Sequence, residues 1–376
     1  MSVVVTGIGL ASALGSTAKQ TWQRLLRGDS VIALRQPFSD LPPCPLAMVD
    51  KQPQWLDELL LKTAAAAIQD AGLSSPLPDC GVVVGSSRGR QARWERFLTQ
   101  GTVQGWTDSL PHMGAIAVAR QMGSQGPVLS PMAACATGLW AIAQGTQLIR
   151  SGQCDRVLVG AGEAAITPLT LTGFAQMRAM SKTGCYPFDR QREGLALGEG
   201  AAMLMLESSA AAQVRSARVY GQVLGMGLTA DANHISAPDA VSQQGGLSAI
   251  QACLRDSGLA SAEVDFIHAH GTGTALNDAY EAALIRTLLP RDVWVTSTKG
   301  ATGHTLGASG AIGAAVCLLT LHTQMLPPCV GLRDPDFDLN LVRTARPAEL
   351  STALCFSFGF GGQNAIAAFS RAHFAT

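Results

Sequence analysis

Chemistry concentrates in four stretches of this chain. The first, Pro131-Met132-Ala133-Ala134-Cys135-Ala136-Thr137-Gly138, sets a thiol among small residues. It follows the apolar run Pro127-Val128-Leu129 and precedes a helix-forming run from Leu139 to about Ile149. That reads as strand, tight turn and helix, with small residues letting the backbone fold sharply. A cysteine at a helix N-terminus meets unpaired N–H groups and the positive end of the helix dipole, which favour thiolate. The plain alternative is a buried cysteine used as a small hydrophobe. The second and third stretches are His268-Ala269-His270-Gly271-Thr272-Gly273-Thr274 and Ser297-Thr298-Lys299-Gly300-Ala301-Thr302-Gly303-His304. His268 and His270 share one face of a strand, which is also metal-ligand spacing, but only Asp265 and Asp278 stand near to complete a set. No metal is expected. The fourth, Phe358-Gly359-Phe360-Gly361-Gly362-Gln363-Asn364, has the backbone freedom that an anion hole or a moving gate needs.

The elements that must position these groups follow from pattern. Val3-Val4-Val5 and Val82-Val83-Val84 read as buried strands; helices are expected near 17–27 and from Leu56 to Ala71. Gly7-x-Gly9-x-x-Ser12 reads as a glycine-rich turn; without a third glycine it makes a weak dinucleotide loop. Residues 31–55, rich in proline, read as irregular surface chain. Asp70-x-Gly72-Leu73-x-Ser75 recurs as Asp256-x-Gly258-Leu259-x-Ser261, an offset of 186 that also carries Asp79 to Asp265 and Gly85 to Gly271. The unbroken offset across helix, turn and strand argues for duplication. Alternating strands and helices predict a largely parallel sheet in each half, divided at 210/211, with a site between them.

Composition narrows the class. At 376 residues, 47% hydrophobic and only 14% charged, the chain builds a large interior. Its 27 basic and 27 acidic residues cancel, so nucleic acid is not an expected partner. Nine scattered cysteines without a C-x-x-C pair fit a reducing compartment and no disulfide framework. Residues 3–15 resemble a signal h-region, but no Lys or Arg precedes them, so a buried first strand is the better reading. The apolar run 311–321 falls short of a membrane span. A cytoplasmic location is expected.

Taken together, the four stretches resemble the elongating, Cys-His-His type of β-ketoacyl-acyl carrier protein synthase. The resemblance runs from Val3-Val4-Val5-Thr6-Gly7-Ile8-Gly9 to Phe358-Gly359-Phe360-Gly361-Gly362. It implies the thiolase fold, α/β, with two duplicated halves forming a five-layer αβαβα sandwich: 1–210 with the nucleophile, 211–376 with both histidines and the gate loop. By resemblance Cys135 takes the acyl chain as a thioester, His270 and His304 aim N–H groups at malonyl-thioester, and Lys299 belongs to the same network. The backbone N–H groups of Cys135 and Phe360 match the oxyanion hole, and Thr272 and Thr274 the residues that hold phosphopantetheine. The implied reaction is decarboxylative Claisen condensation of malonyl-acyl carrier protein with the Cys135-bound acyl group, in fatty-acid or polyketide and polyene synthesis. Substrates ride on the carrier's phosphopantetheine, so no separate cofactor is expected. A homodimer is expected, or a heterodimer with a related synthase subunit.

Two alternatives differ from this reading at particular residues. A non-catalytic chain-length partner characteristically lacks the nucleophile, which is present here as Cys135. A degradative thiolase would carry a second cysteine in 358–364, where there is none. Family members often carry a Glu nine residues after the second histidine, where this chain has Gly313; Glu281 and Asp278 become the candidate anions for Lys299. His268, where the family usually has Asn, reads as structural. His112, His234, His322 and His373 have no supporting motif. Asn277 before Asp278 leans toward polyketide or polyene synthases. Arg190 and Arg192 are candidate carrier-docking residues, and 86–120 with 190–196 the expected acyl tunnel.

Overall fold

A computed structural model describes residues 1–372, so His373 lies outside the described residues. Five strands build the first half: β1 (Val3–Ser12), β2 (Cys80–Gly85), β3 (Val128–Leu129), β4 (Arg156–Glu163) and β5 (Gly200–Ser208). They lie in the order β3-β2-β4-β5-β1. Five more build the second: β6 (Gly221–Ala230), β7 (Phe266–His268), β8 (Trp294–Thr296), β9 (Thr352–Gly359) and β10 (Gln363–Arg371). Their order, β8-β7-β9-β10-β6, repeats the first, with Asn340–Leu341 added at the edge. Directions repeat too: β2 pairs parallel with β3 and β4 as β7 does with β8 and β9, while β5 and β10 run antiparallel to both neighbours. Duplication thus extends to topology.

Each sheet is mixed, where a largely parallel one was expected. Only the three residues Phe360–Gly362 separate β9 from β10, and so short a link can join only antiparallel neighbours. The two sheets meet edge to edge through Val3–Val5 of β1 and Gly221–Val223 of β6.

Side-chain alternation along the strands creates the layers. Val82 and Val84 of β2 face the helix Met113–Met122 in an apolar cluster shared with α1 (Leu56–Asp70), while Val83 faces inward toward α2 (Thr137–Arg150). In β9, Leu354 and Phe356 face α3 (Gln244–Ser257) and α4 (Ala275–Leu288), and Ala353 and Cys355 face inward. Between the sheets, α2 packs on α6 (Ser309–Thr323), whose residues Ser309 to Leu321 are all buried. Small residues make that layer thin: a Cβ on Gly138 would lie 2.3 Å from the Ala311 nitrogen. This is the αβαβα thiolase fold. The segment Leu306–Thr323 has the length and apolarity of a membrane span, more than the sequence estimate allowed, yet 89% of it is buried within the protein.

Two local expectations are corrected. Gly7 and Gly9 form no turn; both lie within β1 because α1 crosses directly over them, and Cβ atoms there would meet the Ala67 and Thr63 carbonyl oxygens at 2.3 and 2.0 Å. Within 31–55, Ala33–Arg35 and Cys44–Ala47 pair as strands, the latter also with Leu197–Gly198. Leu46 is buried in the apolar cluster that holds Cys135, which draws this segment inward.

Candidate active site

The site forms where the ends of both halves meet. Cys135 sits in the turn between β3 and α2, two residues before the helix begins. Ala134 takes φ +47°, a left-handed conformation that L-residues rarely adopt and that clusters at functional sites. Hydrogen bonds hold it: Ala133 N–H donates to Thr137 Oγ1 at 2.9 Å, and Thr137 Oγ1–H to the Ala134 carbonyl at 2.7 Å. From the other half, Ser357 donates to the Cys135 carbonyl at 2.8 Å. Gly359 lets the gate loop lie on this turn; a Cβ there would stand 2.7 Å from the Ala133 oxygen and 3.1 Å from the Cys135 nitrogen.

Apolar side chains surround the thiol, among them Leu46, Ile166, Phe174, Leu195 and Leu306, with Phe360 partly buried beside them. Burial pushes the thiol up to about 12, against the opposing pull of Lys299 and Arg88 and a backbone hydrogen bond from Phe360. Desolvation thus opposes the pull of the α2 N-terminus toward thiolate.

His270 follows β7 and His304 precedes α6, as Cys135 precedes α2. The two imidazole rings lie 5.3 Å apart and nearly perpendicular. One ring nitrogen of each histidine and the Cys135 sulfur all fall within 4.8 Å of one another. Leu306 N–H donates to His304 Nδ1 at 3.2 Å, and Ser309 Oγ stands 3.0 Å from the same atom. An accepting Nδ1 leaves the proton on Nε2. At His270, Lys299 Nζ lies 3.4 Å from Nδ1 and donates to the His270 carbonyl. An ammonium there likewise favours Nε2–H. Burial first, then Lys299, holds both imidazoles well below the usual histidine range, so both are neutral donors.

The carboxylates do different work from that expected of them. Glu281 accepts from the backbone N–H of His270 (2.5 Å) and of Gly271 (2.7 Å); Asp278 accepts from Phe188 (2.8 Å) and Gly273 (3.2 Å). Both clamp the turn after β7. Among the described residues no carboxylate forms an ion pair with Lys299; burial depresses its amine, and the field of Glu281 opposes that.

A cavity of about 370 Å³ opens on Cys135, His270 and His304. Thr272 and Thr274 line it, their hydroxyl oxygens 2.9 Å apart, with Asn277, Met177 and Arg178 nearby. Glu193, Gly194 and Leu195 also line it, and Phe174 stacks on Phe360 with ring centroids 5.9 Å apart. Arg192 is not free to dock a partner: it is bound to Asp336 at 2.7 Å and covers the Phe337 ring. Arg190 is exposed and pairs with Asp334.

Sequence reasoning missed Glu163. Its buried carboxylate accepts from Ser86 Oγ (2.6 Å), Ser87 N (2.8 Å), Ser87 Oγ (2.5 Å), Arg88 N (3.2 Å) and Gly307 N (3.0 Å), tying the loop after β2 to the turn that carries His304. A lone acid ending the apolar run from Val157 was the available signal.

These features coincide with a known family. Residues 47–212 match the N-terminal domain of β-ketoacyl synthases and residues 220–333 their C-terminal domain, so the chain belongs to the β-ketoacyl synthase family. It is 32% identical to 3-oxoacyl-[acyl-carrier-protein] synthase 2 of Vibrio harveyi, over 98% of each chain. Its fold is similar to a chain of a type II polyketide acyl-carrier protein–ketosynthase complex (TM-score 0.92, 26% identity, 99% of each chain). It is also similar to a chain of the ishigamide ketosynthase/chain length factor (TM-score 0.90, 28% identity, 99% of each chain).

Proposed function

We propose that this protein is a β-ketoacyl-acyl carrier protein synthase in which Cys135, His270, His304 and Lys299 are the catalytic group. The observation that carries the reading is the convergence of the Cys135 thiol and a ring nitrogen from each of two neutral imidazoles within 4.8 Å, all lining one cavity. Cys135 attacks an acyl thioester of the carrier; the acyl–sulfur bond to the carrier breaks, and the thiol proton leaves with the departing carrier sulfur. Malonyl-carrier then enters past Thr272 and Thr274. Loss of carbon dioxide leaves an enolate, whose oxygen receives the Nε2–H groups of His270 and His304, placed where charge develops. The carbanion attacks the acyl carbonyl on Cys135. The resulting oxyanion is held by the N–H groups of Cys135 and Phe360, and its collapse frees the Cys135 sulfur and β-ketoacyl-carrier. No step calls for a metal or a redox cofactor; the only prosthetic group required is the carrier's phosphopantetheine.

The chain divides at 210/211, the first half supplying the nucleophile and the second the donors and gate. It acts in the cytoplasm, extending fatty-acyl or polyketide and polyene chains. It pairs with a second copy through the β3 edge, where Leu129 and Met132 are exposed. The similar solved ketosynthases that carry a chain length factor favour a related subunit as the alternative partner. Mixing the protein with acyl- and malonyl-carrier tests the reaction: β-ketoacyl-carrier and carbon dioxide should appear one for one. Carbon dioxide without condensed product, or neither, contradicts it.

A further inference from the structure

His268 stands apart from the reacting atoms: it does not line the cavity, yet it is fully buried beside the site. Its Nε2 lies 3.1 Å from Thr298 Oγ1, while its Nδ1 has no hydrogen-bond partner. A buried ring nitrogen left unpaired costs stability, and such costs persist mainly where something is gained. The space for the ring comes from Gly313 of α6. A Cβ there would lie 2.7 Å from His268 Nδ1, 2.9 Å from its Cε1 and 2.7 Å from Cys355 Sγ, the sulfur of the residue facing His268 in register across β7 and β9.

What the ring holds is the start of the short helix α5 (Lys299–Thr302). The Thr298 carbonyl accepts the N–H groups of Ala301 and Thr302, so Thr298 fixes that turn, and Lys299 follows it directly. Lys299 in turn donates to the His270 carbonyl and stands against His270 Nδ1. The contacts close a ring: His268 to Thr298, on to Lys299, to His270, and back along the chain to His268. Among the described residues Lys299 pairs with no carboxylate, so its reach to His270 depends on where its backbone is set.

Building on the ketosynthase reading, we infer that His268 is a positioning residue which, in the room left by Gly313, holds Thr298 and thereby sets Lys299 against His270. Its effect falls on the imidazole-dependent half of the reaction and spares acyl transfer to Cys135.

The test measures both half-reactions in the full-length protein: malonyl-carrier decarboxylation, and Cys135 acylation followed by intact mass. His268→Ala removes the hold on Thr298, and Gly313→Ala drives a methyl group against the ring without touching any reacting group. Each should slow decarboxylation about tenfold or more, since small misplacements of catalytic groups carry such penalties, and leave acylation within about twofold. His268→Asn combined with Gly313→Ala, where a smaller amide can still reach Thr298, should recover most of the decarboxylation lost in Gly313→Ala. If His268→Ala does not fold, Gly313→Ala and the double variant decide. Parallel losses of both half-reactions, unchanged decarboxylation in Gly313→Ala, or no recovery in the double variant each overturn the inference. A wild-type protein performing neither half-reaction overturns the ketosynthase reading itself, and this inference with it.

Discussion

Gly359→Ala is a one-methyl perturbation aimed at the oxyanion hole. Gly359 ends β9 and lies against the Cys135 turn; the added Cβ would stand 2.7 Å from the Ala133 oxygen and 3.1 Å from the Cys135 nitrogen. Carbon needs roughly 3.5 Å or more to such atoms, and both obstacles are backbone, so neither can rotate away. The gate loop must retreat by several tenths of an ångström, and the displacement falls on the next residue, Phe360, whose N–H is one of the two proposed donors. Losing one such donor elsewhere costs about 10²–10³ in rate, or roughly 3–4 kcal/mol of transition-state stabilisation. A partial retreat should therefore slow Cys135 acylation by about 10- to 100-fold. Rapid-quench mass spectrometry with acyl-carrier reads acylation directly, and carbon dioxide release from malonyl-carrier serves as internal control. The control should stay within about threefold of wild type, because the ring nitrogens of His270 and His304 are held by Lys299, Leu306 and Ser309, outside this loop. Wild-type acylation in a folded Gly359→Ala protein would refute the reasoning.

Further outcomes follow from the same geometry. His304→Ala removes an enolate donor but no oxyanion donor, so decarboxylation should fall far more than acyl transfer; equal losses contradict the role assigned. Glu163→Gln sets an amide among five donors to the carboxylate, losing at least two charge-assisted bonds, and should cost about 3–5 kcal/mol in urea unfolding together with a slower decarboxylation. A loss under about 1 kcal/mol would show that the network is not holding the halves together. Burial raises Glu199 to about 7, against an unfolded value near 4.3. A raised acid binds its proton more firmly when folded, so its contribution is complete below about pH 4.3 and is lost as the pH climbs through 7. Glu199→Gln, which keeps an acceptor for Gln54 N–H at 2.7 Å, should flatten the decline in stability between pH 5 and 7.5 by at most about 3 kcal/mol. An identical slope in the variant would contradict that assignment.

Much of the fold was legible because it repeats. An offset of 186 residues linked Asp70 to Asp256, and the matching strand orders show why: the same helix-to-strand passage, α1 to β2 and α3 to β7, stands in each half. Cys135, His270, His304 and Lys299 were legible as motifs because chemistry dictates residue type and the strand ends dictate spacing. Features that depend on neighbours remote in sequence were not. Gly7 and Gly9 look like a turn until α1 is laid over them. The thiol at Cys135 looks activated by a helix end, but it is buried by leucines and phenylalanines 36 to 225 residues away. The missing acid at Gly313 and the unusual His268 read as separate oddities in the sequence; in space they touch. Arg192 looked available for docking because nothing local revealed Asp336, 144 residues on.

The central claim is that Cys135 carries the acyl chain. Incubating the protein with acyl-carrier and mapping the adduct by peptide mass spectrometry tests it most directly. The account predicts one acyl group per chain, on Cys135, absent from Cys135→Ala and discharged as β-ketoacyl-carrier when malonyl-carrier is added. A folded protein with no acyl group on Cys135, or with the acyl group on another of its nine cysteines, would contradict it.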